Sequence, residues 1–187
     1  DYLAATRSYK RCLDYHPNFG NAYSNLALAE QNLGEMDKAE AYYRKALRLV
    51  ANHNVARYNL GTLYQSKGQI DSAMVCYKES YGPQHTKPYV NLGSIYHQRG
   101  QLDSAMMVSE RALQPGFESF EALITIGRVH ADREEYGEAA RTYTRFFAGY
   151  TGRDTTLMAA AKAELAQAYG GLGVQAEQDG RLAEAIA

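Results

Sequence analysis

Apolar and small residues recur along the chain at the spacing of one α-helix face. Leu60 and Gly61 belong to one such face, and Gly68 comes where that helix is expected to end. Glycine is the favoured residue at the end of a helix because it adopts the left-handed backbone conformation at low cost. A second amphipathic segment follows, with Ala73 and Tyr77 on one face. The pattern therefore predicts a helical hairpin.

This hairpin pattern recurs along the chain at a nearly constant period, and three series of residues share it. They are the alanines Ala5, Ala39, Ala73, Ala105 and Ala139, the pairs Leu26-Ala27, Leu60-Gly61, Leu92-Gly93, Ile126-Gly127 and Leu172-Gly173, and the spacers Gly34, Gly68, Gly100 and Gly180. A single hairpin cannot bury its apolar face alone, so neighbouring hairpins must stack. The sequence predicts an array of helical hairpins.

The motifs resemble those of the tetratricopeptide repeat family. The family pattern W-x2-L-G-x2-Y is matched by Tyr89, Leu92, Gly93 and Tyr96, with tyrosine in place of tryptophan. The A-x3-F element is matched by Ala73 and Tyr77. The resemblance covers essentially the whole chain. It implies an all-α, right-handed solenoid of stacked antiparallel helix hairpins whose first helices line the concave face.

The period divides the chain into repeats. Residues 1–19 are expected to be the second helix of a partial repeat. Full repeats are expected at 20–53, 54–85, 86–119 and 120–165, the last with an insertion after about residue 149. A helix is expected to begin at Asp154 or Thr155 and to run towards Gln178, so that the insertion lengthens the last first helix. Residues 166–187 are expected to supply this first helix and the opening of a second. Because both ends fall inside repeats, self-association through uncapped ends is one expectation.

Composition and charge exclude several functions. The chain has 20 Lys and Arg against 21 Asp and Glu, and no stretch forms the basic stripe that nucleic-acid binding needs. No apolar run approaches the roughly 18 residues of a membrane span. No catalytic set, phosphate loop or metal-ligand cluster can be assembled, so neither catalytic activity nor a cofactor is predicted. The compartment is unmarked, although Cys12 and Cys76, ordinary thiols, favour a reducing one such as the cytoplasm.

The resemblance implies that positions 2, 5, 6, 9, 12 and 13 of each repeat face the concave groove, and these predicted groove positions hold the candidate binding residues. Asn25, Asn59 and Asn91 share one position in successive repeats, and an amide can pair with the N–H and C=O of an extended peptide. Such a row resembles the asparagine rows of protein O-GlcNAc transferases, although asparagine is also common at this position across the family. The other candidate contacts are Tyr58, Thr62, Lys87, His97 and Arg128.

The carboxylate clamp of chaperone-binding repeats is not matched. Where a first clamp repeat needs Lys and Asn, this chain has Ser24 and Leu28, and Asn91 replaces the closing cation. The leading prediction is a non-catalytic scaffold that binds an extended peptide or a partner helix in the concave groove. The alternative is a substrate-recruiting repeat arm of a larger enzyme, such as a glycosyltransferase.

Overall fold

The computed structural model describes residues 1–82, 86–113, 119–152 and 154–186, which form ten helices and no β-strand. The helices are α1 (Tyr2–Tyr15), α2 (Gly20–Asn32), α3 (Met36–Leu49), α4 (Asn54–Ser66), α5 (Ile70–Glu79), α6 (Lys87–Gln98), α7 (Leu102–Arg111), α8 (Phe120–Asp132), α9 (Tyr136–Gly149) and α10 (Thr155–Ile186). They fall into two compact units, Asp1–Pro88 and Tyr89–Ala187. The predicted boundary at residue 85, and residues 114–118 ahead of the one at 119, lie outside the described residues.

The first unit shows why small residues recur on the first helices. α1 packs on α2, α2 on α3, α3 on α4 and α4 on α5, and α2 also contacts α4. A β-carbon on Gly61 would lie 2.7 Å from the ring of Tyr77, so even alanine would force this ring or the two helices to shift. Tyr77 and Ala73 are fully buried at the same crossing. The paired small residue and tyrosine therefore hold the hairpin together.

The turn between the two helices of a hairpin needs a left-handed residue. Gly34, Gly68 and Gly100 have φ angles of 84°, 73° and 68°. This confirms the conformation predicted for the spacer glycine Gly68. In the hairpin of α8 and α9 the same place is taken by Glu134, with φ of 60°. A residue with a side chain pays a conformational cost there that glycine does not.

In the second unit, α7 packs on α8, α8 on α9 and α9 on α10. A β-carbon on Gly127 would lie 2.5 Å from the Tyr143 ring, which repeats the crossing seen at Gly61. Phe146 is buried next to Tyr143 in a core that also contains Ala161 and Ala168 of α10. The hairpin therefore buries its apolar side against the last helix.

The end of the chain agrees with the prediction in part. α10 is one helix of 32 residues that begins at Thr155, as expected for the lengthened first helix. It continues past Gln178, and no second helix opens within the described part of 166–187, so that part of the prediction is wrong. Gly173 and Gly180 lie inside this helix. Glycine costs only about 1 kcal/mol relative to alanine in a helix interior, and the surrounding residues favour helix strongly.

The repeat period also continues into α10. Ala161 lies one period after Gly127 and is fully buried. The additional residues therefore lie within α10, in agreement with the predicted lengthening of the last first helix. The predicted repeat was placed too late in the chain because Leu172-Gly173 matches the Leu-Gly pairs of the earlier repeats.

Candidate functional site on the first helices

The first helices of the first unit present an uncharged surface. None of the predicted groove positions on α2 and α4 carries a charged side chain. Those that are exposed or half-buried are Asn21, Asn25, Leu28, Gln31, Asn32, Val55, Tyr58, Asn59, Thr62, Gln65 and Ser66, and together they are called the α2–α4 face. Ser24, also predicted to face the groove, is buried. A charged ligand would find no counter-ion among these side chains.

Asn25 is the most accessible amide of the predicted asparagine row. Its side chain is exposed, and no described residue hydrogen-bonds to it. One turn further along α2, Leu28 exposes 42% of its surface. Asn32 follows and donates its amide to the Leu28 carbonyl oxygen at 2.7 Å, which leaves its own carbonyl oxygen free to accept. An apolar side chain thus lies between two amides on one line of α2.

Asn59 has a different environment from Asn25. It is half-buried and interacts with the Tyr43 hydroxyl of the preceding hairpin. Burial raises the pKa of the Tyr43 phenol above its usual range, and the hydrogen bond with the Asn59 side chain partly offsets this rise. Tyr43 also donates to the side-chain oxygen of Gln31 at 3.1 Å. Asn59 therefore contributes to hairpin packing as well as to the surface.

The other candidate residues of the first unit differ in the contacts and accessibility of their side chains. Tyr58 packs its ring 5.7 Å from the ring of Tyr77. The Thr62 hydroxyl donates to the Asn59 carbonyl oxygen of its own helix at 2.8 Å. Lys87 is exposed at the first residue of α6. Of these three side chains, Lys87 is the most accessible.

In the second unit, His97 is held by an acidic side chain. Its Nε2 lies 2.9 Å from Oδ2 of Asp132 on α8, which links two neighbouring hairpins. The equivalent residue in the first unit, Gln65, accepts instead from the Tyr77 hydroxyl at 2.6 Å. The hairpin of α6 has Ser109 in place of that tyrosine, so His97 has no hydroxyl of this kind to bind. Asn91, also in this unit, is half-buried and has a partner.

Arg128 is engaged by a residue that the sequence analysis did not single out. Its Nε and Nη2 donate to Oε1 of Glu164 on α10 at 2.7 and 2.6 Å. The hydroxyl of Tyr143 donates to the other oxygen of Glu164 at 2.7 Å. This hydrogen bonding to Glu164 raises the pKa of Arg128. Glu164 therefore ties α8, α9 and α10 together.

A periodic signal for Glu164 does exist in the sequence. One position of the repeat is held in turn by Glu30, Tyr64, Tyr96, His130 and Glu164. Several members contact a neighbouring second helix: Glu30 is buried and lies 3.0 Å from Lys10 Nζ, and the Tyr64 hydroxyl accepts from Arg44 at 2.9 Å. Continuing the period one step past His130 would have found Glu164.

Metal-ligating and nucleophilic side chains are scattered among the described residues. No group of three or more His, Cys, Asp or Glu among them is placed to hold a metal ion. Burial raises the pKa of the Cys76 thiol to about 11, which keeps it protonated and unreactive at neutral pH. Within the same residues, no helix combines the length and apolarity of a membrane span.

Comparison with known proteins identifies the family. Models described as tetratricopeptide repeat match residues 18–82 and 86–114. The solved structure of YrrB, described as a tetratricopeptide repeat protein with an unusual peptide-binding site, is similar with a TM-score of 0.71 and 20% identity. That similarity covers 90% of each chain. The chain belongs to the tetratricopeptide repeat family, and its fold is an all-α solenoid of helical hairpins that typically serves as a non-catalytic scaffold for protein–protein interaction.

Two curated proteins are similar over part of the chain. Heat shock protein STI1 of Saccharomyces cerevisiae is 30% identical over 63 residues, which are 34% of this chain and 11% of that protein. The probable UDP-N-acetylglucosamine–peptide N-acetylglucosaminyltransferase SPINDLY of Eustoma exaltatum subsp. russellianum is 37% identical over 71 residues. These are 34% of this chain and 8% of that protein. The chain thus spans about a tenth of the length of either relative.

Proposed function

We propose that this chain binds an extended, uncharged peptide segment of a partner protein on the α2–α4 face. The observation that carries the proposal is the Asn25 side chain, which is exposed and has no partner among the described residues. An amide offers one donor group and one acceptor, so it can pair with both polar groups of a peptide backbone. Leu28 supplies an apolar contact one turn away.

The absence of charge on the α2–α4 face supports the choice of ligand. A charged side chain buried against this surface would lose its hydration without gaining an ion pair, which is costly. A neutral segment loses little hydration and gains hydrogen bonds to amides. Tyr58, Asn59 and Thr62 are members of this face and are further contacts in our proposal. Lys87, Asn91, His97 and Arg128 stay predictions, and the proposed binding does not depend on them.

The test begins with selection of binding peptides from a randomised peptide library displayed on phage. Affinity of the selected peptide is then measured for wild type and for Asn25→Ala. One hydrogen bond is worth about 0.5–1.5 kcal/mol net, so Asn25→Ala should weaken binding by between about twofold and tenfold. Leu28→Asp should weaken it further, because a carboxylate would replace the apolar contact.

Asn52→Ala is the matched control. Asn52 is an exposed asparagine in the turn before α4, and it is not one of the predicted groove positions. Its replacement should leave affinity unchanged. If Asn25→Ala and Leu28→Asp bound the selected peptide as tightly as wild type, the α2–α4 face would not be the binding surface. Asn59→Ala is a poorer probe, because it also removes a contact to the buried Tyr43.

A second candidate function is a substrate-recruiting arm of a larger enzyme. It is favoured by the 37% identity to part of the SPINDLY glycosyltransferase and by the asparagine row. Under this proposal the same face would hold the acceptor peptide while a catalytic domain acts on it. Reading the complete coding sequence for a glycosyltransferase domain separates the two candidates, since only the recruiting arm requires one.

A further inference from the structure

Two glutamines of the α2–α4 face are held in the same way by buried tyrosines. Gln65 on α4 accepts a hydrogen bond at its Oε1 from the Tyr77 hydroxyl at 2.6 Å. Gln31, one repeat earlier on α2, accepts at its Oε1 from the Tyr43 hydroxyl at 3.1 Å. Both tyrosine side chains are completely buried. The same contact is therefore built twice, once in each hairpin.

This contact determines which end of each amide remains available. An amide has one oxygen that accepts hydrogen bonds and one nitrogen that donates them. Because Oε1 is directed at a tyrosine hydroxyl, Nε2 is left for other partners. Neither Nε2 of Gln31 nor that of Gln65 is buried, and no described residue accepts a hydrogen bond from them. The two side chains thus form a row of hydrogen-bond donors, called the glutamine row.

Asn59 supports this orientation in the first of the two hairpins. Burial raises the pKa of the Tyr43 phenol, and the hydrogen bond with Asn59 offsets part of the rise, as expected when the amide donates to the phenol oxygen. A hydroxyl has only one hydrogen, which Tyr43 then donates to Gln31. The Gln31 amide therefore keeps its oxygen towards Tyr43.

The spacing of the glutamine row favours one ligand conformation. Because α2 and α4 contact each other, their axes are expected to lie about 8–10 Å apart. In a polyproline II helix, carbonyl oxygens on one side recur every three residues, or about 9.3 Å. In a β-strand they recur every two residues, or about 6.8 Å. One polyproline II turn for each repeat therefore brings one carbonyl oxygen to each glutamine.

The chemistry of the row favours the same ligand. Proline has no backbone N–H, so a proline-rich segment offers acceptors to a row that offers donors. A polyproline II helix makes no internal hydrogen bonds, which leaves its carbonyl oxygens available. Proline rings are uncharged and pack on aromatic side chains, and the α2–α4 face contains the half-buried Tyr58. The ligand and the face thus match in hydrogen bonding and in charge.

We propose that the ligand of the α2–α4 face is a proline-rich segment in the polyproline II conformation, whose carbonyl oxygens accept hydrogen bonds from Nε2 of Gln31 and Gln65. This inference rests on the proposed function and adds the conformation and chemical class of the ligand. Tyr43 and Tyr77 are positioning residues, because their hydroxyls orient the two amides without touching the ligand.

The first experiment is isothermal titration calorimetry of the whole chain with an acetylated and amidated nonaproline peptide. An uncharged glycine–serine peptide of the same length should bind at least about tenfold more weakly, because it must lose more conformational freedom on binding. Equal affinity for both peptides would overturn the inference. So would the absence of nonaproline binding to a chain that binds the library-selected peptide, and this result would leave the proposed function intact.

Gln65→Glu tests the donors of the row. Glutamate keeps an oxygen that accepts from the Tyr77 hydroxyl but has no N–H to donate. Kd for nonaproline should rise at least about threefold, and at least about tenfold when Gln31→Glu is added. Gln69→Glu is the matched control, because Gln69 is exposed at the N-cap of α5, is not a groove position and gains the same charge. Equal Kd values for Gln65→Glu and Gln69→Glu would overturn the proposal.

Tyr77→Phe tests the positioning role. Phenylalanine keeps the ring that lies against Gly61 and removes only the hydroxyl. Kd for nonaproline should rise when Tyr77→Phe is made in wild type but should rise no further in the Gln65→Glu background, because the hydroxyl acts through the Gln65 amide. Equal losses of affinity in the two backgrounds would overturn the assignment of Tyr77 as a positioning residue. Circular dichroism checks that each variant keeps the wild-type helix content.

Discussion

Single residues decide how well each hairpin turn fits its backbone. Three of the turns place glycine in the left-handed region, and the fourth places Glu134 there. The Glu134 side chain is exposed and makes no contact with a described residue that would offset the cost, although its carbonyl oxygen accepts from Gln175 at 2.9 Å. A glycine would keep that backbone bond and remove the strain.

Glu134→Gly is therefore expected to raise the free energy of unfolding. The gain should be about 0.5–1 kcal/mol, because relief of the left-handed conformation outweighs the added flexibility of the unfolded chain. Urea denaturation followed by circular dichroism measures it. Glu134→Ala removes the same side chain but keeps the steric cost, so it should bring no comparable gain. Equal stability of the two variants would contradict the assignment of strain.

Asparagines in equivalent positions also differ at the residue scale. Asn25 is exposed, whereas Asn59 contacts the buried Tyr43 hydroxyl. The difference depends on which side chains of the preceding helix lie next to each asparagine, and the residue type alone does not reveal it. A row of identical residues thus divides into one surface amide and one amide shared with the packing of the hairpins.

At the scale of one element, the start of α4 depends on a histidine. His53 caps this helix, with its Nδ1 accepting from the backbone N–H of Ala56 at 3.3 Å. Only the neutral ring can accept in this way. Burial lowers the pKa of His53 from its ordinary value of 6.5, which agrees with a neutral cap.

This cap should make the stability of the chain depend on pH. The folded state resists protonation of His53, while the unfolded chain takes up a proton below about pH 6.5. The contribution is therefore complete above that pH and is lost as the pH falls below it. His53→Asn provides a cap that does not titrate, so its free energy of unfolding should fall less than that of wild type between pH 7.5 and 5.5.

Urea denaturation at the two pH values measures this effect. His53→Ala serves as the comparison, because it removes both the cap and the titrating group. It should be less stable than His53→Asn at both pH values and should share its weaker pH dependence. An unchanged pH dependence in both variants would show that His53 does not couple folding to protonation.

α10 illustrates a second effect at the element scale. Ala161 and Ala168 are fully buried against α9, and Gly171 lies against the ring of Tyr136. These contacts hold the first half of α10 along α9, and they include a glycine at the interface. Tertiary packing along one side of the helix thus outweighs the local preference of glycine for a turn.

In the whole molecule, basic and acidic residues are nearly equal in number, but they are unevenly distributed over the surface. The chain carries 20 basic and 21 acidic residues, yet none of the groove positions on α2 and α4 is charged. The charged partners described so far link neighbouring helices, as Glu164 and Asp132 do. Charge therefore stabilises the stack of hairpins more than it attracts a ligand.

The proposed peptide complex should accordingly depend little on salt. Long-range attraction between charges is screened by ions, but hydrogen bonds and apolar contacts at close range are not. Kd of the library-selected peptide should change by less than about threefold between 0.05 and 0.5 M sodium chloride, on the order expected without ion pairs. Isothermal titration calorimetry at several salt concentrations measures this. A loss of affinity by orders of magnitude would place charged residues in the interface.

The sequence by itself determined the class of the protein. The spacing of Leu60, Gly61 and Ala73, which recurs once in each repeat, specifies helical hairpins because only small residues allow their helices to cross closely. The left-handed turn at Gly68 follows from the same local chemistry. These features depend on neighbours within one hairpin, so their pattern is visible in the letters. The right-handed twist of the stack stays a prediction.

Only the tertiary structure decided which polar side chains remain available. Arg128 and His97 were predicted as groove contacts, but Glu164 and Asp132, which lie about one repeat further along the chain, bind them. Hydrogen bonds and ion pairs between hairpins depend on distances that the repeat pattern does not encode, and this is why the candidate site was less predictable than the fold.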